Sequence, residues 1–390
     1  MAVFNNLVNL NLNSNCQTDV IYTDFSKAFD KVNHSILLDK LESFGINANL
    51  LLWFCSYLVG RSQYVRFNNT MSDLFNVTSG VPQGSHLGPV LFNIFINDLP
   101  SVIKYSNCLL FADDLKLLRK ICDPSDSQLL QHDIDSVSDW CRNNLLDLNI
   151  KKCNFVSFTR SNTLIPFQYN INCFPLESLE MVKDLGIIFD KKFSFKEHIS
   201  HIFSKSMRLL GFIKRNSLEF RDPSTIKSLY VSLVRPYLEY CSIIWNPSLK
   251  VDIVKLERVQ KNFTRFLFFK LNWRIEKPPY YTRCCLFDIC SLERRRELYA
   301  IVFIRDLVHH HIKCCNLISL LNFYSPFRTL RECFHFRLPV LKSNIAFNNP
   351  IYRCMFITNK IINLIDIFEN VPRLVFKKNI VIVLDQFYRS

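Results

Sequence analysis

Glycine is nearly absent from this chain: there are 7 in 390 residues, where ordinary usage of about 7% would supply about 27. They stand at positions 45, 60, 80, 84, 88, 186 and 211, and positions 212–390 have none. Glycine-dependent architectures are therefore excluded: collagen-like repeats, glycine-rich linkers and the G-x-G-x-x-G dinucleotide fingerprint. The cluster at 80–88 marks the one stretch where the backbone needs positive φ or close approach. The glycine-free second half reads as helical.

Hydrophobic residues make up 49% of the chain and include 35 phenylalanines, enough for two or three domain cores. The 15 cysteines are odd in number and scattered, with no C-x-x-C pair, so reduced thiols are expected rather than a secreted disulfide framework. Met1 to Asn13 lacks a basic n-region and carries asparagines through its apolar stretch, which excludes a signal peptide. No run approaches 18 apolar residues, so no membrane span is expected, and the setting is intracellular, nuclear or cytoplasmic. Charge is uneven. Residues 1–190 carry 14 Lys+Arg against 19 Asp+Glu, and residues 191–390 carry 34 against 15. An acidic half can hold cations while a basic half offers a surface to a polyanion, although any basic surface would give the same count.

Strand and helix signals alternate over the first 190 residues. Asp19–Asp24 is a short strand ending on a carboxylate. Helices are predicted over Ser35–Phe44 and Ala48–Val59, each closed by a glycine at 45 or 60. Gln63–Phe67 and Leu74–Thr78 form a hairpin around Asn68-Asn69, and Val90–Leu99 is a helix. Cys108–Leu118 is a second hairpin, with Asp113-Asp114 at its turn. Ser127–Leu146 is an amphipathic helix, followed by strands at Asn154–Phe158, Phe167–Asn172 and Met181–Phe189. Beyond 190 helices are expected around Ile199–Ile213, over Ile226–Tyr240 and over Val251–Lys270.

Three pieces carry the chemistry when taken together: Asp24, the run Ser79-Gly-Val-Pro-Gln-Gly-Ser85, and Phe111-Ala-Asp-Asp114. Each alone has a plain structural reading as a cap or turn. The Asp113-Asp114 pair fits that reading least, because its flanks are apolar and adjacent like charges at the edge of a core call for a cation. Hard divalent ions choose carboxylate oxygens, and Asp24 would supply a third. Two such ions about 3.5–4 Å apart serve phosphoryl transfer.

With Tyr22-Thr-Asp-Phe-Ser-Lys-Ala-Phe-Asp30, Gly80-Val-Pro-Gln-Gly-Ser85, Leu91–Pro100 and Phe111–Asp114 in this order, the chain resembles the reverse transcriptases of non-LTR retrotransposons, the jockey-like elements in particular. The resemblance extends weakly through Leu148-Asn149 and Lys151-Lys152, Leu185-Gly186, and the segment Leu229–Pro247, covering roughly residues 19 to 270. It implies an α+β fold, a right-hand polymerase palm of antiparallel sheet on helices over 1–190. A helical thumb over 191–270 and a basic helical region over 271–390 would follow. It implies an RNA-directed DNA polymerase that extends a DNA primer on an RNA template with dNTPs, using two Mg²⁺ ions (Mn²⁺ being the alternative). Asp24, Asp113 and Asp114 would hold the metals, and Lys152, or its neighbour Lys151, would protonate pyrophosphate. Phe25, Phe29, Gln83 and Gly84 would line the nucleotide pocket, and Leu185 and Gly186 would belong to the hairpin that grips the primer. Only 18 residues precede the first strand and none is Lys or Arg, so a palm without fingers or endonuclease is expected. The alternative is a catalytically silent, nucleic-acid-binding remnant.

In the basic half, Lys255, Arg258, Lys261 and Arg265 recur at spacings of 3, 3 and 4 and are the best candidates for phosphate contact, with a solvated helix face as the equal alternative. Arg294–Arg296 reads as a phosphate contact, a localisation signal or a solvated turn. His309–His311 near Cys314-Cys315 lacks the paired spacing of a zinc finger.

Overall fold

The computed structural model describes all residues but 162, 221, 273–275, 325–334, 341–346, 362–363 and 388–390. After helix α1 (Ala2–Asn13), the chain divides into two compact units, Asn15–Met181 and Met1–Ser14 with Val182–Ser390. The architecture is mixed α+β, with the sheets small and mainly antiparallel.

The first unit contains β1 (Gln17–Thr23), α2 (His34–Ser43), α3 (Ala48–Leu58), β2 (Ser62–Gln63), β3 (Arg66–Phe67), β4 (Thr70–Met71) and β5 (Phe75–Asn76). Then come α4 (Gly88–Ile96), β6 (Asn107–Phe111), β7 (Asp114–Ile121), α5 (Pro124–Asn143), β8 (Asn154–Phe158), β9 (Asn170–Ile171), β10 (Phe174–Pro175) and β11 (Glu177–Ser178). Five strands form one sheet in the order β11-β8-β1-β7-β6. The central β1 is buried at all seven positions and pairs antiparallel with β7 and β8. One core joins Ile21, Leu115 and Leu117 of the sheet to Leu37 and Leu41 of α2, Phe92 and Phe95 of α4, and Leu130, Ile134 and Val137 of α5. Each such side chain contributes about 1.5–3 kcal/mol on leaving water. Asparagine and aspartate side chains start the helices: Asn33 accepts from Ile36 N, Asn47 from Leu50 N, and Asp123 from Ser125 N and Asp126 N.

The expected hairpin at 63–78 is present as two rungs, β2 with β5 and β3 with β4, turning at Asn68-Asn69 with Asn68 at φ +51°. The strand expected over Phe167–Asn172 shrinks to β9, whose neighbours pair with no strand in the described region.

The second unit holds a hairpin of β12 (Met181–Asp184) and β13 (Ile187–Asp190), so the single strand expected there is two strands around a Leu185-Gly186 turn. Helices follow: α6 (Lys196–Asn216), α7 (Pro223–Leu233), α8 (Arg235–Glu239), α9 (Ser242–Trp245), α10 (Lys250–Asn272), α11 (Tyr280–Leu286), α12 (Leu292–Val308), α13 (Cys315–Ile318), α14 (Pro350–Lys360) and α15 (Arg373–Phe387). The helix expected over Ile226–Tyr240 is broken between Leu233 and Arg235, because Pro236 lacks the N–H a continuous helix needs. Tyr230 of α7 stacks on Phe263 of α10 at 4.0 Å and 8°. A second core joins α12, α14 and α15 through Ile301, Ile304, Cys354, Met355, Phe376 and Ile380.

Helix α1 belongs to this unit, and it buries asparagines. Asn5 donates to Ile244 O at 3.2 Å, Asn9 to Asn5 Oδ1 at 3.1 Å, and Asn349 to Asn6 Oδ1 at 2.7 Å. A buried amide is costly without such partners.

Candidate active site

The β1–β7 ladder ends with Thr23 opposite Leu115, and Thr23 Oγ1 donates to Leu115 O at 3.2 Å. One residue further along each strand stand Asp24, just after β1, and Asp114, the first residue of β7. Asp113 sits in the two-residue turn that reverses β6 into β7, because Phe111 pairs with Asp114. The other turn residue, Ala112, has φ +51°, a conformation that a non-glycine residue adopts at a cost of about 1–3 kcal/mol. Asp24 and Asp114 thus each stand one residue beyond the last β1–β7 pair, and Asp113 precedes Asp114 in the turn.

Asp24 is about a third exposed, and its Oδ2 is buried, takes no hydrogen bond and lies 3.1 Å from Lys152 Nζ. The loop that carries Lys152 is strapped to the end of β1. Asn149 N donates to Asp24 O at 2.7 Å, Ser26 N donates to Asp147 O at 2.8 Å, and Phe25 forms a single bridge with Leu148. Lys31 adds an ion pair to Asp147 at 2.7 Å. Lys151 and Lys152 lie in the same short 3₁₀ turn, and both are exposed. Among the described residues no group of three His, Cys, Asp or Glu is drawn together closely enough to hold a metal as it stands.

The glycine cluster packs against the loop after Asp24. Gly80 N donates to Val32 O and Val81 N to Phe29 O, both at 2.8 Å, and Ser79 Oγ donates to Asp30 O at 2.8 Å. Gly80 has φ +86°, and a Cβ there would stand 2.6–2.8 Å from the Asp30 backbone, so no other residue fits. Its carbonyl accepts Arg61 Nη2 at 2.9 Å and contacts His34 Nε2 at 2.8 Å. Gln83 is exposed and donates through Nε2 to Asp30 Oδ1 at 2.7 Å. Gly84 at φ +80° borders open space. Asp30, Arg61, Gln63, Ser79 and Gln83 line a cleft of about 610 Å³.

Phe29 stacks on Phe92 at 4.4 Å and 27°. Phe25, expected in the nucleotide pocket, is instead interior, 3% exposed within the core, because it follows a fully buried strand. Sequence reasoning also passed over Asp30, Arg61 and His34. Asp30 closes the Tyr22–Asp30 motif, which was the available signal; Arg61 and His34 stand outside every motif.

Residues 6–213 match the family described as reverse transcriptase (RNA-dependent DNA polymerase). The chain belongs to the reverse transcriptase family. Among curated relatives it is 30% identical over 259 residues to a probable RNA-directed DNA polymerase from transposon X-element of Drosophila melanogaster, covering 63% of this chain and 28% of that protein. It is 28% identical over 275 residues to the RNA-directed DNA polymerase from mobile element jockey of Drosophila funebris, covering 67% and 29%. This reverse transcriptase chain thus spans under a third of the length of those relatives. Among solved structures, apo telomerase from Candida tropicalis aligns with TM-score 0.42 at 14% identity, over 76% of this chain and 50% of that one.

The remaining expected site residues of this reverse transcriptase lie in the second unit. Leu185 and Gly186 form the β12–β13 turn with φ +42° and +87°. Tyr240 holds that turn: its hydroxyl donates to Leu185 O at 3.1 Å, and its ring lies 3.3 Å from where a Gly186 Cβ would be. On α10, Arg258 and Arg265 are exposed, whereas Lys255 donates to Ser200 Oγ at 2.9 Å and Lys261 lies 5.3 Å over the Tyr280 ring. The basic stripe is therefore half engaged in packing. Of Arg294–Arg296, Arg295 pairs with Glu239 and the buried Arg296 donates to Asn246 Oδ1 at 2.8 Å, so the run is not a solvated turn. Among the described residues no helix is long and apolar enough to cross a membrane.

Proposed function

We propose that the Asn15–Met181 unit is the catalytic palm of an RNA-directed DNA polymerase from a non-LTR retrotransposon. It would transfer nucleotides from dNTPs to a DNA primer 3′-hydroxyl on an RNA template. The observation that supports this reading is a β1–β7 ladder that ends one residue short of both Asp24 and Asp114, with Asp113 in the adjoining turn. The curated relatives named as RNA-directed DNA polymerases support it. The second unit would supply the thumb and the helical region after it.

The donor chemistry suits hard divalent ions: three carboxylates, one with a buried oxygen that no hydrogen bond satisfies. Asp24, Asp113 and Asp114 would hold them, Mg²⁺ by preference, and the ions would neutralise the triphosphate and favour attack by the primer hydroxyl. The chain's own side chains do the rest by positioning. Lys152, already facing Asp24, carries a proton toward the place where pyrophosphate charge develops. Gln83 and the open Gly84 present the wall of the nucleotide pocket, locked by Asp30 and by the two side chains on Gly80 O. The stacked Phe29 supports the sugar side. Leu185 and Gly186 would touch the primer, and Arg258 and Arg265 the nucleic-acid backbone.

Primer extension on poly(rA)·oligo(dT) with Mg²⁺ tests the proposal against an Asp113→Asn control. Extension well above the control is expected. Incorporation equal to the control, with RNA–DNA binding retained, would make the chain a silent binding remnant.

A further inference from the structure

At the opposite end of the same ladder, Gln17 pairs with Ile121, and continuing the register by one residue sets Cys16 across from Cys122. Directly opposed antiparallel residues have Cα atoms about 4.5–5.5 Å apart and side chains on one face. That separation falls inside the window of about 4.4–6.8 Å that a disulfide spans. The two thiols are close enough to act on one another, and neither belongs to a disulfide in this structure. Cys122 is exposed, Cys16 is half-buried, and the backbone of Cys122 is held by its N–H donating to Asp126 Oδ2 at 2.9 Å. Asp123, the next residue, caps α5 and fixes the chain direction.

We propose that Cys16 and Cys122 are an oxidation site, forming a cross-strand disulfide when a disulfide oxidant such as oxidised glutathione is present. The exposed Cys122 thiolate attacks one glutathione sulfur, breaking the glutathione S–S bond and releasing a first glutathione thiolate. The Cys16 thiolate then attacks the Cys122 sulfur of the mixed disulfide, forming the Cys16–Cys122 bond and releasing the second. Two protein thiols are oxidised, one glutathione disulfide is reduced to two thiols, and the two protons pass to the leaving thiolates. Desolvation, and after it the Cys16 thiol, raises the Cys122 pKa, so the exchange is run at pH 8.5.

The full chain is incubated with oxidised glutathione, quenched with N-ethylmaleimide and mapped by peptide mass spectrometry. The expected result is a Cys16–Cys122 linked peptide in the wild type. In Cys16→Ser, Cys122 should instead carry glutathione. Thermal melting should rise by several degrees on oxidation of the wild type and stay unmoved in Cys122→Ser, whose exposed position tolerates serine. If Cys16→Ser does not fold, the wild-type map and the Cys122→Ser melt decide the matter alone. Glutathione retained on Cys122 of the oxidised wild type, or Cys122 bridged to another cysteine, would overturn the proposal.

Discussion

Acidification should loosen the second unit through a single imidazole. His198 of α6 is 2% exposed, accepts Ile188 N at Nδ1 (3.3 Å), and stands edge-on to Trp245 with centroids 5.2 Å apart. Burial, and then the neighbouring His201, push its pKa down to about 4. The folded protein therefore keeps His198 neutral while the unfolded chain takes up a proton near the ordinary value of about 6.5. For this depressed group the stabilising contribution is complete above about pH 6.5 and is lost as pH falls toward 4. The full loss is about 3 kcal/mol, with about 1 kcal/mol gone by pH 5.5 and about 2 kcal/mol by pH 5. The assay is urea unfolding of the wild type and His198→Asn at pH 7.5 and pH 5. Asparagine keeps an acceptor for Ile188 N but does not titrate. Carboxylates titrate alike in both proteins and cancel in the difference. The wild type should lose about 2 kcal/mol more than the variant over this interval. Equal losses, or an NMR titration placing the His198 midpoint near 6.5, would refute the reasoning.

Gly80→Ala and Gly84→Ala form a matched pair, since both demand positive φ but only Gly80 meets backbone at 2.6–2.8 Å. Gly84→Ala should cost about 1 kcal/mol, and Gly80→Ala should cost clearly more and abolish extension. Equal melting temperatures would show that the loop yields. Lys152→Met should lower the rate of extension by about 10²-fold with little change in KM for dNTP; a KM effect alone would make Lys152 a binding group. For Arg258→Gln and Arg265→Gln, anisotropy titrations with a labelled RNA–DNA duplex across KCl concentrations should show the log–log salt slope falling by roughly 0.7–0.9 per residue. Lys255→Gln should move it less, because Lys255 is already engaged with Ser200. An unchanged slope in both arginine variants would remove α10 from the interface.

Legibility in the sequence followed local chemistry. The hairpin was readable because apolar runs flank Phe111-Ala-Asp-Asp114 on both sides, although its turn falls on Ala112 and Asp113, and Asp114 opens β7. The ends of α2 and α3 were readable because Gly45 and Gly60, both at positive φ, follow each apolar run. The residue pattern over Met181–Phe189 read as one strand, and only the resemblance pointed to a hairpin at Leu185-Gly186, because leucine rarely sits at φ +42° and what holds it there is Tyr240, 55 residues away. The same distance problem hid the Asp30 bond to Gln83, which unites two motifs that sequence alone leaves 53 residues apart. Helix α1 escaped because its interior is lined with asparagines, and their partners Ile244 and Asn349 come from the far end of the chain. Phe25 was misplaced for a simpler reason: motif membership says nothing about which side of a backbone a ring takes.

The central place of β1 also sets an order of assembly. It is the first strand of the sheet to be synthesised, yet its partners are Leu115–Ile121 and Asn154–Phe158, roughly 90–140 residues later. Its ladder partners come only after that interval, and such non-local pairing slows folding. On a ribosome making about 5–20 residues per second, the strand leading to Asp24 waits several seconds for its first partner. During that wait the Gln17–Thr23 segment, buried at every position once folded, is an aggregation hazard.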